Sequence, residues 1–224
     1  SVCASKDNGA TWVDIARTYE SNAKWHNDQH NMTVHPTLSN VGIVCADGGL
    51  AKVEYDPVTQ TGTFTMLNTT INDTQAYGMS VHPTDHTRII LGTQDNASPA
   101  SRGNLGAWAN LYAGDGGFSG FDGTNPGKHY STSQGGSVYR YDSDGDTTPT
   151  SIGPGNGPFV TPLAMGGTGR QTVFTSANNK LKRNFQGTSG WTDSTTTLNS
   201  NARNISVSKR NTNRIFTVHG NGDV

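Results

Sequence analysis

The chain has 224 residues, with 16 Lys and Arg against 17 Asp and Glu and a formal net charge of −1 with histidine neutral. That balance leaves no basic face for nucleic acid, and no apolar run is long enough to span a bilayer, so neither nucleic acid binding nor membrane insertion is expected. With 28 glycines, charged residues at 15% and no apolar period of helical length, the composition predicts an all-β, turn-rich chain.

Ser1 to Ala16 carries Ser5, Asp7, Gly9, Thr11 and Trp12. Ser and Asp side chains at this spacing bond the backbone of a tight hairpin, Gly supplies a positive φ, and the indole is expected to pack between sheets. The next stretch, Trp25 to Gly49, reads as two short strands around a turn. His26, Asp28, His30, Met32 and Val34 alternate with Asn27, Gln29, Asn31 and Thr33, which a strand's period of two places on one face. His35-Pro36 and the residues to Asn40 break the run, Val41 to Cys45 is an apolar return strand, and Asp47-Gly48-Gly49 closes it.

The same phrase recurs at Met79 to Asn96 and at Ile205 to Val218, with degenerate copies at Gly117 to Ser133 and Phe159 to Ser176. A period of roughly 40 to 50 residues built from short strands predicts propeller blades, each a small sheet that must stack on its neighbours. The expectation is a single β-propeller domain over 1–224 with about five four-stranded blades. Residues 221–224 and Ser1 to Ala4 would complete one blade head to tail. The ring is then either closed by pairing of the N- and C-terminal strands or a fragment of a larger propeller.

Ser5, Asp7, Gly9, Thr11 and Trp12 match S-x-D-x-G-x-T-W, and the chain here resembles the BNR/Asp-box repeat propellers: sialidase-like, sortilin-like and xyloglucanase-like proteins. His26 to His30, Asp47-Gly48-Gly49, Gly92 to Asn96, Gly114 to Gly117 and Gly157 to Pro162 extend the likeness over nearly the whole chain, with Ser98 to Asn110 reading as an insertion. In that family the box is structural and lies away from the active site. The resemblance therefore implies a ligand-binding rim on the opposite face.

Blade connectivity places His26, Asp28, Asp47, Asp95 and Asp115 at that rim. Asp28, Asp47, Asp95 and Asp115 are the candidate catalytic carboxylates, since glycoside hydrolysis needs an acid and a base or nucleophile. Asp in Asp-Gly-Gly and Gln-Asp-Asn contexts is equally at home capping turns. His26, His30 and Gln94 are candidate ligand contacts, and His26, Asp28 and His30 could converge on a cation or a sugar hydroxyl. Trp25 and Trp108, with Tyr19 and Tyr112, are candidates for a sugar-stacking platform, whereas Trp12 and Trp191 read as packing residues. A sialidase mechanism fits poorly, because Glu20 and Glu54 are the only glutamates.

No cofactor is required by this reading. Asp142, Asp144 and Asp146 resemble the opening of a calcium loop but lack its bidentate Glu, so they read either as a structural Ca²⁺ site or as a hairpin turn. Cys3 and Cys45 read as a disulfide or as two small buried strand residues. Asn-x-Ser/Thr triplets at Asn31, Asn68, Asn72, Asn96 and Asn204 favour an extracellular or cell-surface setting. The expected partner is a glycan or an extracellular protein: the function expected is ligand binding at the rim, with a glycoside hydrolase or a sortilin-like scaffold as alternatives.

Overall fold

Short β-branched runs separated by Asn, Asp, Gly and Pro form antiparallel meanders throughout. The structure, a computed structural model, describes residues 1–70, 74–112, 114–188, 190–211 and 213–220. The Asn72 triplet and the 221–224 segment expected to seal a ring lie outside these. Among the described residues there are four four-stranded sheets and two two-stranded ones, and the chain divides into two compact units, Ser1–Asp73 and Thr74–Val224.

In the first unit β1 (Cys3–Ala4) pairs with β2 (Val13–Asp14), and β3 (Gln29–Val34), β4 (Val41–Ala46), β5 (Gly49–Asp56) and β6 (Thr61–Met66) form a meander in chain order. The alternation in β4 buries Gly42, Val44 and Ala46 on one face. Val44 and Ala46 join Val2, Ile15, Ala16, Trp25, Ala51 and Val53 in one core.

The β1–β2 turn is held as its residue types require. The Ser5 hydroxyl accepts the Gly9 N–H at 2.8 Å, and the Asp7 carboxylate accepts the Thr11 N–H at 2.8 Å and the Thr11 hydroxyl at 2.6 Å. Gly9 takes φ +89°, a region that disfavours any side chain. Trp12 departs from expectation. It is 64% exposed, folds over its own turn and donates to the Gly9 carbonyl at 3.1 Å. Cys3 is exposed and Cys45 half-buried, and both are free thiols.

The second unit contains three complete meanders: β7 (Gly78–Val81) to β8 (Arg88–Gly92), β9 (Pro99–Arg102) and β10 (Trp108–Asn110); β11 (Ser119–Phe121) to β12 (His129–Thr132), β13 (Val138–Tyr141) and β14 (Thr150–Ser151); and β15 (Ala164–Gly166) to β16 (Thr172–Ala177), β17 (Lys180–Phe185) and β18 (Thr192–Asp193). β19 (Ala202–Val207) and β20 (Ile215–His219) pair with each other. The stretch expected as an insertion, Ser98 to Asn110, supplies β9 and β10. Its lack of apolar alternation reflects an outer position in the sheet.

Sheets in this unit stack face to face, so their inner strands are buried on both sides: every residue of β11 and β12 is buried. Ile90, Ala100 and Phe121 fill one interface, while Tyr130, Val138, Leu163, Met165 and Val173 fill the next. Phe174, Ala202 and Ile205 fill the third. Fully burying side chains such as Val138 and Val173 stabilises by roughly 1.5–3 kcal/mol each. Trp191 packs against the second of these cores, as expected. His129 stacks on Tyr141 at 4.7 Å and 3°, and burial holds its imidazole below the ordinary 6.5.

All five phrase copies are pairs of consecutive antiparallel strands: β3–β4, β7–β8, β11–β12, β15–β16 and β19–β20. In four of them a side-chain acceptor at the end of the first strand captures turn N–H groups. His35 Nδ1 takes those of Thr37 and Leu38, His82 Nδ1 those of Thr84 and Asp85, Asp122 those of Thr124 and Asn125, and Ser208 that of Asn211. Both histidines therefore serve the fold.

Among the described residues the buried Tyr130 hydroxyl has no hydrogen-bond partner, and burial pushes its phenol far above the ordinary range. Tyr130→Phe is expected to leave stability unchanged or raise it by about 1 kcal/mol in denaturant unfolding, since it removes an unpaired donor without removing the ring. The Thr11 hydroxyl, first among several hydrogen bonds, lowers the Asp7 carboxyl from 3.8 to about 2. A lowered folded value means that this turn's support is complete above the unfolded value and is lost as pH falls through the folded one. A carbon-detected carboxyl titration should find Asp7 near that midpoint in the native chain, and Thr11→Val should raise it towards 3.8.

Candidate functional site

The segment before β3 is anchored by Trp25, which is 7% exposed and stacks on Phe64 at 6.3 Å and 6°. Trp25 is thus a core residue and cannot offer a ring face to a sugar, which corrects its assignment as a ligand contact. From that anchor the chain projects His26 and Asp28. The His26 ring lies against Gly48, where a Cβ would sit 2.5 Å from its Cγ, so only glycine admits this approach.

Alternation along a strand does not gather His26, Asp28 and His30. β3 begins at Gln29, Asp28 sits at φ +55°, and β3 bulges where Gln29 opposes Ala46 but Asn31 opposes Cys45. The bulge re-aims His30 instead: its Nε2 meets the Asp47 carboxylate, which follows β4 at the tight β4–β5 turn. Asp28 accepts a hydrogen bond from the Tyr19 hydroxyl at 2.9 Å. That bond, burial, and the negative charges of Asp28 and Asp47 hold the Tyr19 phenol above 10.0. Tyr19, Asp28, His30 and Asp47 therefore share one exposed polar group, with Tyr19 itself 73% exposed.

Asp95 and Asp115 come together in the second unit, but as a clamp between loops. The Asp115 carboxylate accepts the Asp95 N–H at 2.7 Å and the Gln134 side-chain amide at 2.6 Å. Gln134 in turn accepts from the Ser133 hydroxyl, and the Tyr77 hydroxyl donates to Gln94. Gln134 is absent from the sequence-derived set, although its position two residues after β12 matches Gln94 two residues after β8. Trp108 is 42% exposed and donates to the Leu105 carbonyl at 2.9 Å, while Tyr112 stacks on Tyr139 at 4.0 Å.

Asp142, Asp144 and Asp146 lie in the β13–β14 turn and go separate ways. Asp142 pairs with Arg140 at 3.0 Å, Asp144 pairs with Arg88, and Asp146 accepts the turn N–H groups of Asp142 and Thr148. Among the described residues no group of three His, Cys, Asp or Glu is placed to hold a metal ion. Asn68 also has a fold role: its amide donates to the Gly48 carbonyl at 2.6 Å and accepts the Leu50 N–H at 2.8 Å.

No protein-family model and no curated protein sequence matches the chain. Solved structures do. An ancestral GH74 enzyme aligns at 17% identity and TM-score 0.51 over 87% of this chain and 32% of its own. The GH74 enzyme of Niastella koreensis aligns at 18% and 0.51 over 95% and 36%. The computationally designed protein Ika4 aligns at 13% and 0.51 over 68% and 89%. GH74 enzymes are β-propellers, and the chain has that fold while spanning about a third of their length.

If Asp28 and Asp47 both act on the Tyr19 phenol, Asp28→Asn should bring its ionisation back towards 10.0, with Asp47→Asn giving a smaller shift the same way. Ring-carbon NMR titration of Tyr19 measures both, and no shift with either variant would show that the group does not assemble in solution.

Proposed function

We propose that this chain is an Asp-box β-propeller segment that binds a glycan outside the cell through Tyr19, Asp28, His30 and Asp47. One observation carries the reading. Two carboxylates, an imidazole and a phenol stand together on an exposed surface, drawn there by a positive-φ residue and a bulge. Carboxylates accept from sugar hydroxyls, an imidazole can donate or accept, and an exposed phenol ring suits a sugar's apolar face. The hydrogen-bonded β1–β2 turn supports the Asp-box part, and the triplets whose asparagines, Asn31, Asn96 and Asn204, are exposed support the extracellular part. The propeller fold shared with glycoside hydrolases supports carbohydrate as the ligand class.

Hydrolysis is the second reading, favoured by two carboxylates in one group: Asp28 bonds the Tyr19 phenol and Asp47 meets His30. Titration calorimetry against cello- and xyloglucan oligosaccharides, with reducing ends assayed in parallel, separates the two. Binding is expected to weaken about tenfold or more in Asp28→Asn and Asp47→Asn, the cost of losing a charge-assisted hydrogen bond. Reducing ends released by the native chain and lost in both variants would establish the hydrolase. Glycan binding indifferent to both substitutions would remove this group from the function.

A further inference from the structure

The β7–β10 and β11–β14 sheets meet at a seam, and at one end of it Arg88 opens β8, His129 opens β12 and Arg102 closes β9. We infer that this end of the seam is an acid-sensitive latch, shut while His129 is neutral and released when its imidazole takes a second proton.

His129 is 4% exposed. Cross-strand pairing sets its ring between Phe121, centred 5.9 Å away, and Tyr141, stacked at 4.7 Å. Nδ1 faces the Gly127 carbonyl at 2.9 Å, and a carbonyl only accepts, so this nitrogen carries the first proton and Nε2 would receive the second. Beside the ring lies a cavity of about 20 Å³ bounded by Arg88, Arg102 and Asp144, with room for about one water. Bulk solvent therefore cannot hydrate a charged ring there.

The surrounding charges decide what protonation does. Arg88 from β8 and Arg102 from β9 would repel an imidazolium. Asp144 and Asp146, from the β13–β14 turn, would attract it, but both are engaged: Asp144 pairs with Arg88, and Asp146 accepts the N–H groups of Asp142 and Thr148. The other acids nearby are also taken, Asp85 by Arg88, Asp122 by its own turn, and Asp142 by Arg140 and Lys128. His82 meets the edge of Phe121, and the Tyr141 phenol, held above 10.0 by burial, stays neutral. Attraction of a cation to the two flanking rings offsets part of the cost. Burial outweighs it and holds the imidazole below 6.5. The shut latch thus binds the proton more weakly than the open one. Its stability is complete above 6.5 and is lost as pH falls through that value towards the folded one. The far end of the seam is held separately, by Asp115 on the Asp95 N–H and by the Gly116 N–H on the Thr93 carbonyl, so release is a local opening.

The test places a thiol in the seam of the intact chain by Ala100→Cys, at a position 3% exposed, and follows its labelling by an activated pyridyl disulfide. Exposed Cys3 supplies the reference rate at each pH. Between about pH 8 and about pH 5, where carboxylates stay ionised, the relative rate should rise about fivefold or more. A thiol placed by Ala177→Cys, buried in β16, should show no such rise. His129→Phe keeps a ring between Phe121 and Tyr141 and should abolish the pH response, whereas His82→Asn, which keeps an acceptor for its turn, should retain it. The inference fails if the rate does not rise, if the rise survives His129→Phe or vanishes in His82→Asn, or if the Ala177→Cys thiol accelerates equally. NMR titration of the His129 ring in the native chain tests it without any variant: a midpoint at or above 6.5 would overturn it.

Discussion

A side-chain acceptor at the end of the first strand, reaching forward to the backbone N–H groups of the following turn, is the interaction on which four of the five repeated hairpins rest. Turn N–H groups at a strand end have no ladder partner, and each acceptor that captures them contributes on the order of 1 kcal/mol. The demand is for a lone pair at the right reach, not for a particular residue. Imidazole supplies it at His35 and His82, carboxylate at Asp122 and hydroxyl at Ser208. In both histidines it is Nδ1 that faces the turn N–H groups. Chemical variety at a geometrically constant position is also why the repeats look degenerate while the strand pairs they encode do not.

Stacking decides what the strands contain. In the second unit both faces of β11, β12 and β16 are buried, which favours Gly, Ser and Thr where sheets approach closely and larger side chains where they diverge. The same requirement separates two tryptophans with identical local settings. Trp12 and Trp191 each directly precede the return strand of an outer hairpin, yet Trp191 bonds the neighbouring sheet and Trp12 lies over its own turn. Local sequence sets the hairpin, and the neighbouring sheet sets the fate of the indole.

This explains which features were legible in the sequence. All five strand pairs and the Ser5–Asp7–Gly9–Thr11 turn rest on interactions within a few residues, so motif and spacing suffice to find them. Contacts between sheets are silent in the sequence. Asp144 reads as a metal ligand until β8 brings Arg88 to it, and Trp25 reads as a sugar platform until Phe64 stacks on it. Ser98 to Asn110 reads as an insertion because outer strands carry little of the apolar alternation that marks inner ones. Gln134 escapes because an amide carries no catalytic signature, although its place in the repeat is regular.

The polar group of the first unit arises where the strand rules fail. Regular β3 geometry from His26 onward would have left Asp28 and His30 projecting in line, with Asp47 set apart at a turn. Instead Asp28 holds a left-handed backbone, which costs on the order of 1 kcal/mol in a non-glycine residue, and the bulge leaves His30 outside the regular ladder. Both departures turn side chains towards partners, Tyr19 in one case and Asp47 in the other. The surrounding scaffold, with Trp25 locked in the core and the Gly48 turn closed against His26, is what can hold such a local cost. Strain held in place by a regular frame is thereby resolved into one exposed set of hydrogen-bonding groups.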